Sequence, residues 1–175
     1  MKKLGKGQRG FTLIELVIVI GLTSIVVAAI TGTILGVFNT DARTRNDMTA
    51  VYQVRHAGKL VSEDILEAQS VNATGSSGFP LILTWTEVGE PFDTYKVIYK
   101  LVDMSGGLKI LWREYYLNSA LNSTTKVAEY INPDQTSCSP RGVLPAGGTL
   151  TFTVTATVGG VSETRVYQVK PRPGS

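Results

Sequence analysis

One cysteine and one histidine occur in 175 residues. Cys138 has no second cysteine to close an internal disulfide, so it is either a free thiol or half of a bridge between two chains. His56 stands on a polar stretch between Arg55 and Lys59, without the His/Cys cluster a metal site needs, and reads as a surface residue. There is no glycine-rich phosphate loop, no nucleophile elbow and no HExxH helix, so the common routes to nucleotide hydrolysis, acyl transfer and zinc peptidase chemistry are missing. Charge is missing too. From Phe11 to Phe38 the single formal charge is Glu15.

That run is long enough to matter. As a helix at about 1.5 Å per residue it reaches roughly 42 Å, against a hydrocarbon core of about 30 Å. Lys2, Lys3, Lys6 and Arg9 precede it and belong on the cytoplasmic side. A cleaved secretory signal has a shorter apolar core of about 7–15 residues ending in small residues. Here Val27-Ala28-Ala29 falls inside the run, with more apolar residues after it. A plain signal anchor fits the length and the leader charges but has no use for Glu15. A carboxylate in lipid costs about 2.5–3.5 kcal/mol on insertion scales, which asks for a compensating partner.

The junction Gly10-Phe11-Thr12-Leu13-Ile14-Glu15-Leu16 resembles the class III signal of type IV pilins and of the pseudopilins of type II secretion and DNA uptake. The close match spans about residues 6 to 38. The resemblance implies that a prepilin peptidase cuts between Gly10 and Phe11 on the cytoplasmic side and that the new Phe11 terminus is N-methylated. It also implies other pilin or pseudopilin subunits, an ATP-driven inner-membrane assembly platform and the lipid bilayer as partners. Many members carry a proline near the position of Gly32; the first proline here is Pro80.

Cleavage would create a charge. The Phe11 amine, protonated at the head of an apolar helix, lies one turn from Glu15. In a staggered bundle, Glu15 of one subunit meets the amine of the next, turning two isolated charges into one ion pair with an offset of roughly 6 Å. A pair within one chain is the simpler alternative. Ala28, Gly32 and Gly36 recur every four residues, a spacing that lets helices approach closely, and Gly21 adds a weak point; the plain alternative is that glycine is common in membrane helices. The leader holds four of the 17 basic residues and none of the 14 acidic ones. The chain after Gly10 therefore carries one net negative charge before its terminus is counted, and the high pI is no sign of nucleic-acid affinity.

The helical pattern continues past Asn39. Val51, Val54, Gly58, Val61, Ile65 and Ala68 repeat at spacings of three and four, widened by Ala57 and Leu60, while Arg55, Lys59 and Glu63 share another face. We read one helix from about Phe11 to about Gln69, with the polar patch Asn39–Asn46 as a candidate break. Asn72 to Gly78 reads as a loop, after which the period becomes that of strands: Leu81–Val88, Tyr95–Val102, Leu108–Leu117, a short Val127–Ile131, Leu150–Val158 and Ser162–Val169. Ser105-Gly106-Gly107 and Gly159-Gly160 read as turns. The expected fold class is α+β, a long N-terminal helix packed on a C-terminal antiparallel sheet. Its parts are a leader over 1–10, an apolar assembly helix over 11–38, an amphipathic continuation over 39–69 and a head over 70–175.

The head offers few candidates for chemistry. Asp64 and Glu67 lie close on the helix and are candidates to bind a cation, but read more simply as a solvated face. Asp93 and Asp103 flank strands without calcium-loop spacing. Lys96, Lys100, Lys109 and Arg113 are candidates for a nucleic-acid patch but read more simply as solvent-facing cations. The loop Asn132 to Gly148 has no disulfide and reads as held by Pro133, Pro140, Pro145 and local packing, or else as mobile. No metal and no cofactor is expected. Leu60-x-x-x-Asp64-Ile65-x-x-Ala68 is similar to minor components of the J or W type. The expected function is a structural subunit of a pilus or pseudopilus, more in keeping with a minor than a major component. The rivals are a membrane-anchored binding module that never polymerises and an anchored enzyme with an unrecognised site.

Overall fold

The computed structural model describes residues 10–87 and 92–173. Lys2, Lys3, Lys6 and Arg9 lie outside the described residues. The chain falls into two units, one ending at Ala42 and the other beginning at Arg43. A single helix, α1, runs over Leu13–Glu67 and contributes to both. No break occurs at Asn39–Asn46.

In the first unit every described residue is exposed, including Leu13, Ile18, Ile25, Ile30 and Phe38. Such a surface has no place in water. This helix is long and apolar enough to cross a membrane. Its hydroxyls suit that setting. Ser24 Oγ donates to the Ile20 carbonyl at 2.8 Å, Thr31 to Val27 at 2.8 Å, Thr33 to Ala29 at 3.0 Å and Thr40 to Gly36 at 2.9 Å. Each of these hydroxyls is thus satisfied by its own helix, four residues back, and needs no water.

The second unit sets the amphipathic end of α1 on one antiparallel sheet. Its strands are β1 (Ser70–Ala73), β2 (Leu81–Glu87), β3 (Asp93–Asp103), β4 (Lys109–Leu117), β5 (Ala120–Ile131), β6 (Ser137–Ser139), β7 (Gly142–Val143), β8 (Leu150–Val158) and β9 (Val161–Val169). The sheet order is β6-β8-β5-β4-β3-β2-β1-β7, with β9 hydrogen-bonded to β8. Consecutive hairpins build the centre, where each strand feeds back on its predecessor through a short connection. Ser105–Gly107 makes the β3–β4 connection as one turn of 3-10 helix, with Gly106 at φ 74°. The left-handed region favours glycine there.

Ala50, Val54, Ala57, Val61, Ile65 and Ala68 of α1 share one core with Leu83, Val97, Tyr99, Leu111 and Phe152 of the sheet. Gly58 is required by this packing. A Cβ at that position would stand 1.9 Å from Cζ of Tyr167, whose hydroxyl donates to the Val54 carbonyl at 3.2 Å. On β8, Leu150, Phe152, Val154 and Ala156 point inward as their alternation requires. Thr155, on the opposite face, is buried as well. Its amide donates to Thr136 Oγ1 at 3.1 Å, and its hydroxyl lies 2.8 Å from that of Thr164.

Three expectations about the sheet need correction. The short strand at Val127–Ile131 is the end of a twelve-residue strand starting at Ala120. The loop expected from Asn72 overlaps β1, which pairs with β2. The stretch Asn132–Gly148, read as held by its prolines and local packing or as mobile, contains two short paired strands. β6 pairs with β8, β7 pairs with β1, and the Cys138 amide donates to the Ser77 carbonyl at 2.8 Å.

Candidate functional site

The residues singled out by the sequence fall in the two units, and each set has its own geometry. In the first unit, Gly10 and Phe11 precede the helix and are exposed, Phe11 by 81%. A Cβ on Gly10 would touch nothing, so the fold itself does not demand glycine there. Thr12 caps α1: its Oγ1 accepts from the Glu15 amide at 3.3 Å, and its carbonyl accepts from the Leu16 amide at 3.2 Å. Thr12-Leu13-Ile14-Glu15 has the spacing of a capping box, a signal missed when Glu15 was read only as an ion-pair partner. The position also suits the charge, because the first turn of a helix is the end that favours anions. Among the described residues no side chain pairs with the Glu15 carboxylate. Ala28, Gly32 and Gly36 are exposed on the same helix, and a Cβ on either glycine would meet nothing. Among the described residues no contact explains why these positions are small.

In the second unit the prominent polar feature is a clamp on Asp64. The residue is 6% exposed, so it is not part of a solvated face. Arg113 of β4 grips it in a two-pronged contact, Nε to Oδ2 at 2.7 Å and Nη2 to Oδ1 at 2.9 Å. The Tyr99 hydroxyl of β3 donates to the same Oδ2. Burial pushes the Tyr99 phenol up, and the neighbouring Asp64 carboxylate pushes it further. The hydrogen bond to Asp64 raises Arg113 and keeps it charged. The carboxylate thus fastens the helix to two strands.

That clamp removes Arg113 from the candidate nucleic-acid patch. The other members are engaged as well. Lys100 Nζ lies 2.7 Å from Glu114, Lys109 pairs with Asp103, and Lys96 sits over the Tyr116 ring at 4.6 Å. The four cations do not form an uncompensated basic surface. Asp93 accepts from Asn118 Nδ2 at 2.8 Å. His56 lies on the exposed helix face and stacks on Tyr52, with ring centroids 5.8 Å apart. Cys138 is buried, and burial pushes its thiol up to about 12. A thiolate is therefore scarce at neutral pH, and a bridge to another chain would require the site to open. Glu67 is exposed beside the clamp. Among the described residues no three His, Cys, Asp or Glu side chains come close enough to hold a metal ion.

The prokaryotic N-terminal methylation motif matches residues 5–31. The chain carries a prepilin-type signal. The matched segment takes in the exposed Gly10-Phe11 junction, the capped first turn and more than half of the apolar helix. It ends well before the sheet, so the head is read from its own geometry. No curated protein and no solved structure matches the chain.

Proposed function

We propose that this chain is a structural subunit of a type IV pilus or of a secretion or DNA-uptake pseudopilus, in a minor rather than a major place. It inserts with the leader in the cytoplasm and the head outside. Prepilin peptidase cuts between Gly10 and Phe11, Phe11 is N-methylated, and an inner-membrane platform builds the subunit into a fibre through α1. The observation that carries this reading is the prepilin-type signal placed on an exposed, capped helix start that leads into a wholly exposed apolar segment. The two exposed glycines with empty surroundings support close approach by another helix. Glu15, without a side-chain partner among the described residues, supports a pair with the Phe11 amine of a neighbour. The head fits a rigid passenger clamped to its helix and offers no constellation for catalysis that we can name.

N-terminal sequencing and intact mass of the membrane-extracted protein test the cut. We expect a species beginning at Phe11 with one added methyl group. A species beginning elsewhere overturns the reading. Glu15→Gln separates a fibre subunit from an anchored module that never polymerises: a subunit stays in the membrane but is lost from sheared fibres, whereas for the module nothing changes.

A further inference from the structure

Two Asn-x-Ser/Thr triplets occur in the sequence, Asn72-Ala73-Thr74 and Asn122-Ser123-Thr124, and neither has proline in the middle. Such a triplet can accept an N-linked sugar where the surface presents it to an enzyme. Three residues recur easily by chance, so placement decides between them. The fold disposes of the first. Asn72 is half-buried in β1, opposite Ile82 of β2 on one side and Val143 of β7 on the other. The Thr74 hydroxyl already donates to the Pro80 carbonyl at 2.7 Å.

The second triplet is placed the opposite way in each respect. Asn118 and Ser119, at φ 49° and 69°, turn β4 into β5. Every residue from Ala120 to Lys126 is exposed. Within that stretch the pairing slips. Tyr115 faces Ser123, whereas Tyr116 faces Leu121, so Asn122 is the extra residue of a β-bulge and has no partner across the ladder. A bulge re-aims a side chain and frees the backbone beside it from pairing. Neither the Asn122 carboxamide nor the Thr124 hydroxyl has a hydrogen-bond partner among the described residues. Both polar groups of the triplet are therefore free, at the surface and close to a hairpin tip.

We propose that Asn122 is a site of N-linked glycosylation, supplied by an oligosaccharide joined through C1 of its first sugar to a polyprenyl diphosphate. Asn122 Nδ2 attacks that C1. The N–C1 bond forms and the C1–O bond breaks. Polyprenyl diphosphate leaves with the electron pair, and the amide proton passes to a base of the transferase. Nothing is oxidised or reduced. The Thr124 hydroxyl is the group by which the transferase selects this asparagine. The inference rests on the proposed topology, with the head outside. It does not depend on cleavage after Gly10 or on entry into a fibre.

The test takes the full chain from the membranes of the cells that make it. Trypsin cuts after Arg113 and Lys126, so Asn118 and Asn122 leave in one peptide, which fragmentation in the mass spectrometer reads residue by residue. We expect sugar mass on Asn122 and none on Asn72. It should be wholly lost in Asn122→Gln and in Thr124→Ala, and kept in Thr124→Ser. A bare peptide, sugar on Asn72 instead, or sugar that persists in Asn122→Gln on Ser123, Thr124 or Thr125 overturns the site. Protease added to intact spheroplasts separates the sources of failure. A digested head without sugar overturns the site alone, whereas a protected head overturns the outward topology and the site with it. A glycosylated chain beginning elsewhere than Phe11 upholds the site and overturns the proposed processing.

Discussion

Glu15 and Asp64 stand on the same helix and differ in everything around them. Glu15 sits in the first turn of an exposed apolar segment, with a backbone cap and no side-chain partner among the described residues. Asp64 is buried and takes three donors from two strands. One carboxylate is finished within the chain and the other is not. The same division holds for glycine. Gly58 is fixed by the Tyr167 ring beneath it, while Gly32 and Gly36 face empty space. The second unit is explained by its own contacts, whereas no contact among the described residues explains the exposed apolar surface of the first.

The sharpest way to break the comparison is to unfasten Asp64. Asp64→Ala leaves the buried Tyr99 hydroxyl and the Arg113 guanidinium without their acceptor. Arg113 keeps some access to water, so we expect a loss near the lower end of the range for a broken buried pair, about 3 kcal/mol. Urea unfolding of the full chain in detergent, read by tryptophan fluorescence, measures it. A loss below about 1 kcal/mol would mean that the pair only offsets its own desolvation. Asp64→Asn, which keeps an acceptor, should fall between the two.

A smaller effect comes from the glycines. Gly58→Ala drives a methyl into the Tyr167 ring, which we expect to cost about 1–3 kcal/mol by overpacking. Combining it with Tyr167→Leu should restore part of the loss. Gly32→Ala meets nothing and should leave head unfolding unchanged within about 0.5 kcal/mol. If helices pack against that face, Gly32→Ala should instead lower the fraction of chain recovered in fibres. Equal stability effects at Gly58 and Gly32 would dissolve the contrast.

What the sequence made legible follows from how local each signal is. The stripe on α1 and the alternation on β8 are written in neighbouring residues, and both appear with local changes: Ala50 and Asp64 join the buried face of α1 while Val51 and Leu60 are only half-buried, and Thr155 of β8 is buried on the face read as polar. The first half of β5 was not legible, because its residues from Ala120 to Lys126 are all exposed and no alternation survives. The clamp was half legible. Asp64 follows Val61 by three and precedes Ile65 by one, which puts it on the buried stripe, while Arg113 and Leu111 share a strand face. Their meeting depends on a pairing across 49 residues, which no short-range period encodes. The cap at Thr12 is legible in the sequence, since its spacing is complete in four residues.

The smallest effect tests whether the charged pair on the outer face of the central strands β3 and β4 matters at all. Lys100 and Glu114 lie 2.7 Å apart with side chains 43% and 18% exposed, so water screens them. The hydrogen bond from Lys100 holds the Glu114 carboxyl below its ordinary value of 4.5, and the same bond raises Lys100 above 10.5. A depressed acid contributes stability that is present above its unfolded value and is lost as pH falls through the folded one. A raised base contributes stability that is present below its unfolded value and is lost as pH climbs through the folded one. The pair should therefore help between about pH 4.5 and 10.5 and fade on both sides, by less than about 1 kcal/mol because of its exposure. Lys100→Met should flatten this dependence in unfolding measured from pH 3 to pH 7. If Lys100→Met instead lowers stability as much as Asp64→Ala, the outer pair is no mere surface contact and the head has a second fastening on its other face.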